Sequence, residues 1–214
     1  MMALSNAALL LDEGGGKREM PVCSSLRVVG FLSNLSAEKG VFEFLDVCTA
    51  AQNAGLPLQA KLAGPFQDAE TERRVRCCLN ELPNVEYVGA RCGEAKTRFY
   101  QSIDVFLFPT RNENEAEPLV VLEAMREGIP VIAYGRGAIP EYVDDHCGHV
   151  VPVGGDFVAE ALQCLRTWLE EPETYQVASQ SARYRFQTIQ SDGLVSWARL
   201  KGILLTGKGN VSLD

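Results

Sequence analysis

The sequence predicts an α/β fold with a doubly wound parallel sheet, and three observations predict it. Short apolar runs alternate with longer stretches of helical periodicity from Leu26 onward. The runs are near-continuous, as in "VFLF" at 105–108, rather than alternating apolar and polar. Ser, Asn, Gly and Pro punctuate the joints between runs and helices. Strands separated by crossover helices run parallel, and a strand apolar on both faces needs helices on both sides of the sheet. With right-handed crossovers the winding is Rossmann-like.

Each element follows in order. "LRVVGFL" (26–32) reads as the first strand, then a loop, then the helical pattern "VFEFLDVCTAAQNAG" ending at Gly55. "LQAKLAG" (58–64) is the second strand, and "DAETERRVRCCLNEL" (68–82) is an amphipathic helix whose early acids complement its dipole. "VEYVG" (85–89) is the third strand, "GEAKTRFYQS" (93–102) a helix, and "VFLFP" (105–109) the fourth strand, its aromatics belonging to the core. Pro118 suits the first helical position of "LVVLEAMREG", because its missing N–H costs nothing there, and Gly128 suits its stop. "PVIAY" (130–134) and "GHVVPV" (148–153) complete the strands. "DFVAEALQCLRTWLEE" (156–171) is a helix stopped by Pro172, and further helices start near Thr174 and Gly193. The expected division is a linker or residual segment over 1–22, one domain over 23–190, and a C-terminal helix and tail over 191–214.

Composition narrows the function. The 214 residues carry a formal charge of −8, with 46% hydrophobic and 22% charged residues. An acidic chain lacks the basic footprint of a nucleic-acid binder and is poorly suited to an anionic membrane surface, so membrane association is expected to be peripheral at most. No apolar run reaches the roughly 18 residues of a membrane span. The start "MMALSNAALLL" has no basic n-region, so no signal peptide is read and a cytoplasmic location is expected. Seven cysteines without a CxxC pair read as reduced thiols, mostly core filler. "HCGH" (146–149) offers too few ligands for a metal and reads as the loop before the sixth strand, so neither metal nor cofactor is expected.

In an open parallel sheet, ligands bind outside the carboxyl ends of the strands, which selects the loops 33–40, 64–67, 89–93, 109–118 and 135–140. In the first, Lys39 and Gly40 stand just before a helix. A lysine there can neutralise a diphosphate that also meets helix N-terminal amides, although most loop lysines are merely solvated. The longest loop carries Glu113, Glu115 and Glu117, and Glu123 follows within the helix. Dipole complementarity, about 0.3–1 kcal/mol per acid, accounts for Glu117. It accounts poorly for Glu123, which interrupts the apolar run "LVVLEAM" where an unpartnered charge is costly. An ionised carboxylate only accepts hydrogen bonds, so a pair of hydroxyls such as a ribose diol is a fitting partner.

The stretch "ENEAEPLVVLEAMREGIPVIAYGRGAIPEYV" resembles the donor-binding half of family 4 (group 1) glycosyltransferases, which have the two-domain GT-B fold. Glu115 and Glu123, with seven residues between them, carry the resemblance together with Ala124, Gly128 and Pro130, and it extends from about Leu26 to Thr188. It implies the donor-binding domain of a retaining, metal-independent enzyme that moves a sugar from a nucleotide diphosphate sugar to an acceptor hydroxyl. Glu123 would bind ribose hydroxyls, Glu115 the donor sugar, and Lys39 the diphosphate. The backbone from Gly89 to Arg91 would border the base, and the amides of Glu117, Leu119 and Val120 would approach sugar and phosphate. Lys39 and Glu115 are the catalytic candidates.

Two positions depart from the family pattern. Asn34 stands where an arginine is usual, removing one cation from the diphosphate. Pro118 replaces a glycine and removes an amide donor. The acceptor-binding domain or subunit is expected to be missing, so the chain alone should bind donor weakly and turn over little. "DGLVSWARLKGILL" resembles the helix that usually crosses to that domain, and its apolar residues, Trp197 included, suggest self-association. The alternatives are a non-catalytic nucleotide-sugar-binding module and a nucleotide-sugar epimerase. The latter needs acid–base residues that His146 and His149, in one predicted turn, supply poorly.

Overall fold

The computed structural model describes residues 5–10 and 26–206. Six parallel strands form one sheet: β1 Val28–Leu32, β2 Gln59–Ala63, β3 Val85–Gly89, β4 Val105–Phe108, β5 Val131–Tyr134 and β6 Gly148–Val151. Their order is β3-β2-β1-β4-β5-β6. This is the doubly wound arrangement expected, with its switch point between β1 and β4, where Val29 pairs with Val105 and Gly30 with Phe106.

The helices are α1 Val41–Asn53, α2 Ala69–Glu81, α3 Gly93–Tyr100, α4 Leu119–Arg126, α5 Ile139–Tyr142, α6 Phe157–Glu170 and α7 Pro172–Thr206. α1 packs against α2 and α6, while α4 packs against α7, so the sheet is covered on both faces. That explains why all four residues of β4 and of β5 are buried. Phe31, Phe44, Phe106 and Phe108 form a ring-to-ring chain through the centre, with centroids 5.4 to 6.4 Å apart. No helix among the described residues is long and apolar enough to cross a membrane.

Three local readings change. The helix after β4 begins at Leu119, not Pro118, because Pro118 is extended (ψ 108°) and serves as the N-cap. The two helices expected from Thr174 and Gly193 are one, α7. Gly193 lies within it as a packing glycine: a Cβ there would sit 3.2 Å from the Ala8 methyl. The loop expected over 135–140 ends early, because Ile139–Tyr142 close one helical turn as α5.

The segment 1–22, expected as a linker, is described only at Ser5–Leu10, and there it packs onto the domain. Asn6–Leu9 is a 3₁₀ helix capped by Ser5, whose hydroxyl accepts from Ala7 N. Ala7 and Ala8 are buried, and Gln190 Nε2 on α7 donates to Leu10 O at 2.7 Å. Residues 1–4, 11–25 and the tail at 207–214 lie outside the described residues, and so does the expected domain start at 23.

Candidate functional site

At the switch point, the carboxyl ends of β1, β2 and β4 and the N-terminus of α4 frame a cleft of about 440 Å³. Of the residues expected to bind donor, it brings together Asn34, Lys39, Arg91, Glu115 and Glu117, with Leu119 and Val120 at its base. The backbone amides of Leu119 and Val120 belong to the first turn of α4, where no intrahelical acceptor precedes them.

Lys39 reaches Glu115 because two glycines let three loops converge. Gly40 (φ 85°) caps α1 pressed against the exit of β4, and a Cβ there would lie 2.1 Å from Pro109 O. Gly137 (φ 53°) presses the β5–α5 loop on the other side, and a Cβ there would lie 2.1 Å from Glu115 O. Ala138 N then donates to Ala116 O at 2.8 Å. Held from both sides, Glu115 accepts from Lys39 Nζ at 2.7 Å and from Thr110 Oγ1 at 3.1 Å. Both bonds fall on Oε2, and Oε1 takes no hydrogen bond from any described residue. The Glu115 side chain is only 11% exposed, so its charge needs the ammonium beside it.

Glu123 lies on the second turn of α4 and turns towards α3. Lys96 Nζ contacts its Oε1 at 2.7 Å and its Oε2 at 2.5 Å, and Tyr100 OH lies 3.0 Å from Oε2 and 3.1 Å from Val120 O. Burial, and then the charge of Glu123, hold the Tyr100 hydroxyl well above its ordinary pKa, so it remains a donor. The protein therefore supplies partners for the charge that interrupts the apolar run. Lys96 lines the cleft, whereas Glu123, expected to face the ligand, is not among the residues that line it and reaches it through its contact with Lys96. Lys96 and Tyr100 escaped the sequence reading, although their i,i+4 spacing places both on one face of α3.

Glu117 is more than a dipole partner. Its carboxylate accepts from Ser5 Oγ at 2.6 Å, from Asn6 N at 2.9 and 3.0 Å, and from Tyr142 OH at 2.5 Å. Burial and the Glu117 bond push Tyr142 up to about 12. The acid thus ties the 3₁₀ segment and α5 to the start of α4, and Asn6 becomes part of the cleft wall.

Other candidates fall outside the cleft. Gly89 ends β3 and accepts from Gly64 N at 3.0 Å without lining the cavity. His149 pairs with Glu160 at 2.8 Å on the far strand and His146 is exposed. Among the described residues no cluster of three or more His, Cys, Asp or Glu is placed to hold a metal. None of the six described cysteines is in a disulfide; Cys48 and Cys147 are buried in the core, Cys78 and Cys164 pack against it partly buried, and Cys77 and Cys92 are exposed. Burial raises the Cys48 thiol to about 12 and the Cys147 thiol to about 11. A second cavity of about 390 Å³ lies beneath α3, lined by Lys61, Glu86 and Arg98 and sharing Arg91 with the cleft.

The family profile described as "Glycosyl transferases group 1" matches residues 26–170, which contain both lysine–glutamate pairs. The chain belongs to the group 1 glycosyl transferases. Among its relatives, the Arabidopsis thaliana "Sulfoquinovosyl transferase SQD2" is 35% identical over 176 residues, covering 78% of this chain and 30% of SQD2. The Erwinia amylovora "Amylovoran biosynthesis glycosyltransferase AmsK" is 25% identical over 168 residues, covering 76% of this chain and 40% of AmsK. The chain thus spans well under half the length of these two relatives. Two solved structures show the same fold. HepE of Anabaena, solved in complex with UDP-glucose, superposes with a TM-score of 0.67 at 20% identity, over 83% of this chain and 49% of HepE. The C-terminal domain of the group 1 glycosyl transferase LpcC from Francisella tularensis superposes at 0.66 with 19% identity, over 76% of this chain and 85% of that domain. The group 1 chain described here has the fold of one GT-B half, as its sequence predicts.

Proposed function

We propose that this domain binds the nucleotide diphosphate sugar of a retaining, metal-independent glycosyltransferase, and that transfer to an acceptor hydroxyl takes place in a cleft completed by a second domain or subunit. The observation that carries the reading is the convergence of Lys39 and Glu115 beside the α4 N-terminus at the switch point of the sheet. In such a site, Glu123 takes the ribose diol, and Oε1 of Glu115 accepts from a sugar hydroxyl. Lys39 and the amides of Leu119 and Val120 face the diphosphate, with Arg91 towards the base. The chemical demand is to stabilise negative charge growing on the departing diphosphate as the glycosidic bond to it breaks. Fixed donors meet that demand without reorganising, and each such donor is worth roughly 10²–10³ in rate.

Asn34 is neutral and contributes hydrogen bonding rather than charge at the cleft edge. The name of SQD2 supports transfer of a sugar, and the UDP-glucose bound to HepE supports a nucleotide-sugar donor. The acceptor groups belong to the second half, against which the C-terminal part of α7 would lie. There Val195, Leu204 and Leu205 are 65%, 72% and 77% exposed. In the absence of that half, the same surface favours self-association.

Calorimetric titration of the chain with UDP, GDP and ADP tests the assignment. One of the three should bind, and Lys39→Ala and Glu123→Ala should each weaken it by about tenfold or more, the worth of a hydrogen bond to a charged group. Unchanged affinity in both variants would contradict the reading.

A further inference from the structure

The Lys96–Glu123 pair stands at the cleft and no sequence motif accounts for it. As a purely structural link between α3 and α4 it is poorly chosen, because a partly buried ion pair gains little over an apolar contact of the same size. Its position is informative instead. Lys96 lines the same cavity as Lys39, and its side chain is 25% exposed against 12% for Glu123.

We propose that Lys96 contacts the diphosphate directly and couples its recognition to that of the ribose. The inference rests on the nucleotide-diphosphate reading above. Its basis is a count of donors and acceptors. A carboxylate offers about four acceptor sites and an ammonium three donors. On Glu123, Lys96 contacts both oxygens and Tyr100 contacts one, so about one site is left. A ribose diol needs two. The Tyr100 hydroxyl shares its one proton between Glu123 Oε2 and Val120 O and is held in a residue only 1% exposed. Lys96, by contrast, is partly exposed, lines the cleft and has N–H groups free to turn towards it. Lys96 therefore gives up one of its two contacts when the diol binds, and keeps the other.

The released N–H points into the cleft that holds Lys39. Two of the three ammonium donors are then available to phosphate oxygens, beside the neutral Asn34. Occupation of Glu123 by the sugar thus delivers a second cation to the diphosphate, so a ligand that carries both parts gains more than either part alone.

The test compares wild type, Lys96→Met and Lys96→Arg by calorimetry. The probes are UDP, GDP and ADP, together with the free nucleoside of whichever diphosphate binds. Lys96→Met should weaken the diphosphate by about tenfold or more, the effect of losing a charge-assisted bond, while nucleoside affinity changes less than about threefold. Lys96→Arg should restore most of the diphosphate affinity, which a mere packing defect would not allow. Should Lys96→Met fail to fold, Lys96→Gln gives the same reading. Equal losses for nucleoside and diphosphate, or no loss for either, would overturn the coupling while leaving the site assignment intact. If the wild-type chain binds none of the three diphosphates, the site assignment falls and the coupling with it.

Discussion

Glu115 and Glu117 stand two residues apart in one loop, yet their carboxylates have opposite occupants. Glu117 spends its acceptor capacity on the protein, on Ser5, Asn6 and Tyr142, and joins three segments distant in sequence. Glu115, which lines the cleft, takes its protein donors, Lys39 and Thr110, on a single oxygen and leaves the other without a hydrogen bond from any described residue. The difference teaches that two acids of one loop can be told apart by the acceptor capacity each has left over. Glu117, fully engaged, builds the wall, and Glu115 keeps an oxygen that no described residue takes.

The sharpest way to break that contrast is to remove each acid in turn. Glu117→Ala leaves the Ser5 and Tyr142 hydroxyls and the Asn6 amide without their acceptor, at a cost of about 2 kcal/mol. For a domain of this size that lowers the melting temperature by roughly 4–8 °C, measured by calorimetric scanning. Glu115→Ala should cost less than about 1 kcal/mol in stability, as partly exposed ion pairs do, and its effect should be on ligand affinity. Equal melting shifts for the two variants would erase the distinction. A smaller effect sharpens it: Tyr142→Phe removes one donor of several and should cost about 1 kcal/mol in denaturant unfolding, with nucleotide affinity unchanged within about twofold.

The fold was largely legible in the sequence because the physics that forms it is local. A strand buried on both faces must be apolar throughout, as Val105–Phe108 is, and glycines end helices where φ turns positive, as at Gly55 and Gly128. What escaped was tertiary. Gly193 breaks no helix because Ala8 occupies the space its side chain would fill. Ser5–Leu10 has too few residues to show a period of its own, and its order comes from α7 and Glu117.

The site divides in the same way. Lys39 and Glu115, which the structure pairs at the cleft, are legible as candidates because both lie on loops at the carboxyl ends of strands. Lys96 was missed because it lies on a helix, 27 residues before the acid it meets. The sequence showed that Glu123 needs a partner, and a ligand was the only partner that reading considered.

The most direct test of the account is a crystal structure of the chain soaked with whichever of UDP, GDP or ADP it binds. The account predicts the diphosphate between Lys39 and Lys96 at the α4 N-terminus, with the ribose on Glu123. Nucleotide seated instead in the second cavity, against Lys61 and Arg98 beneath α3, would contradict it.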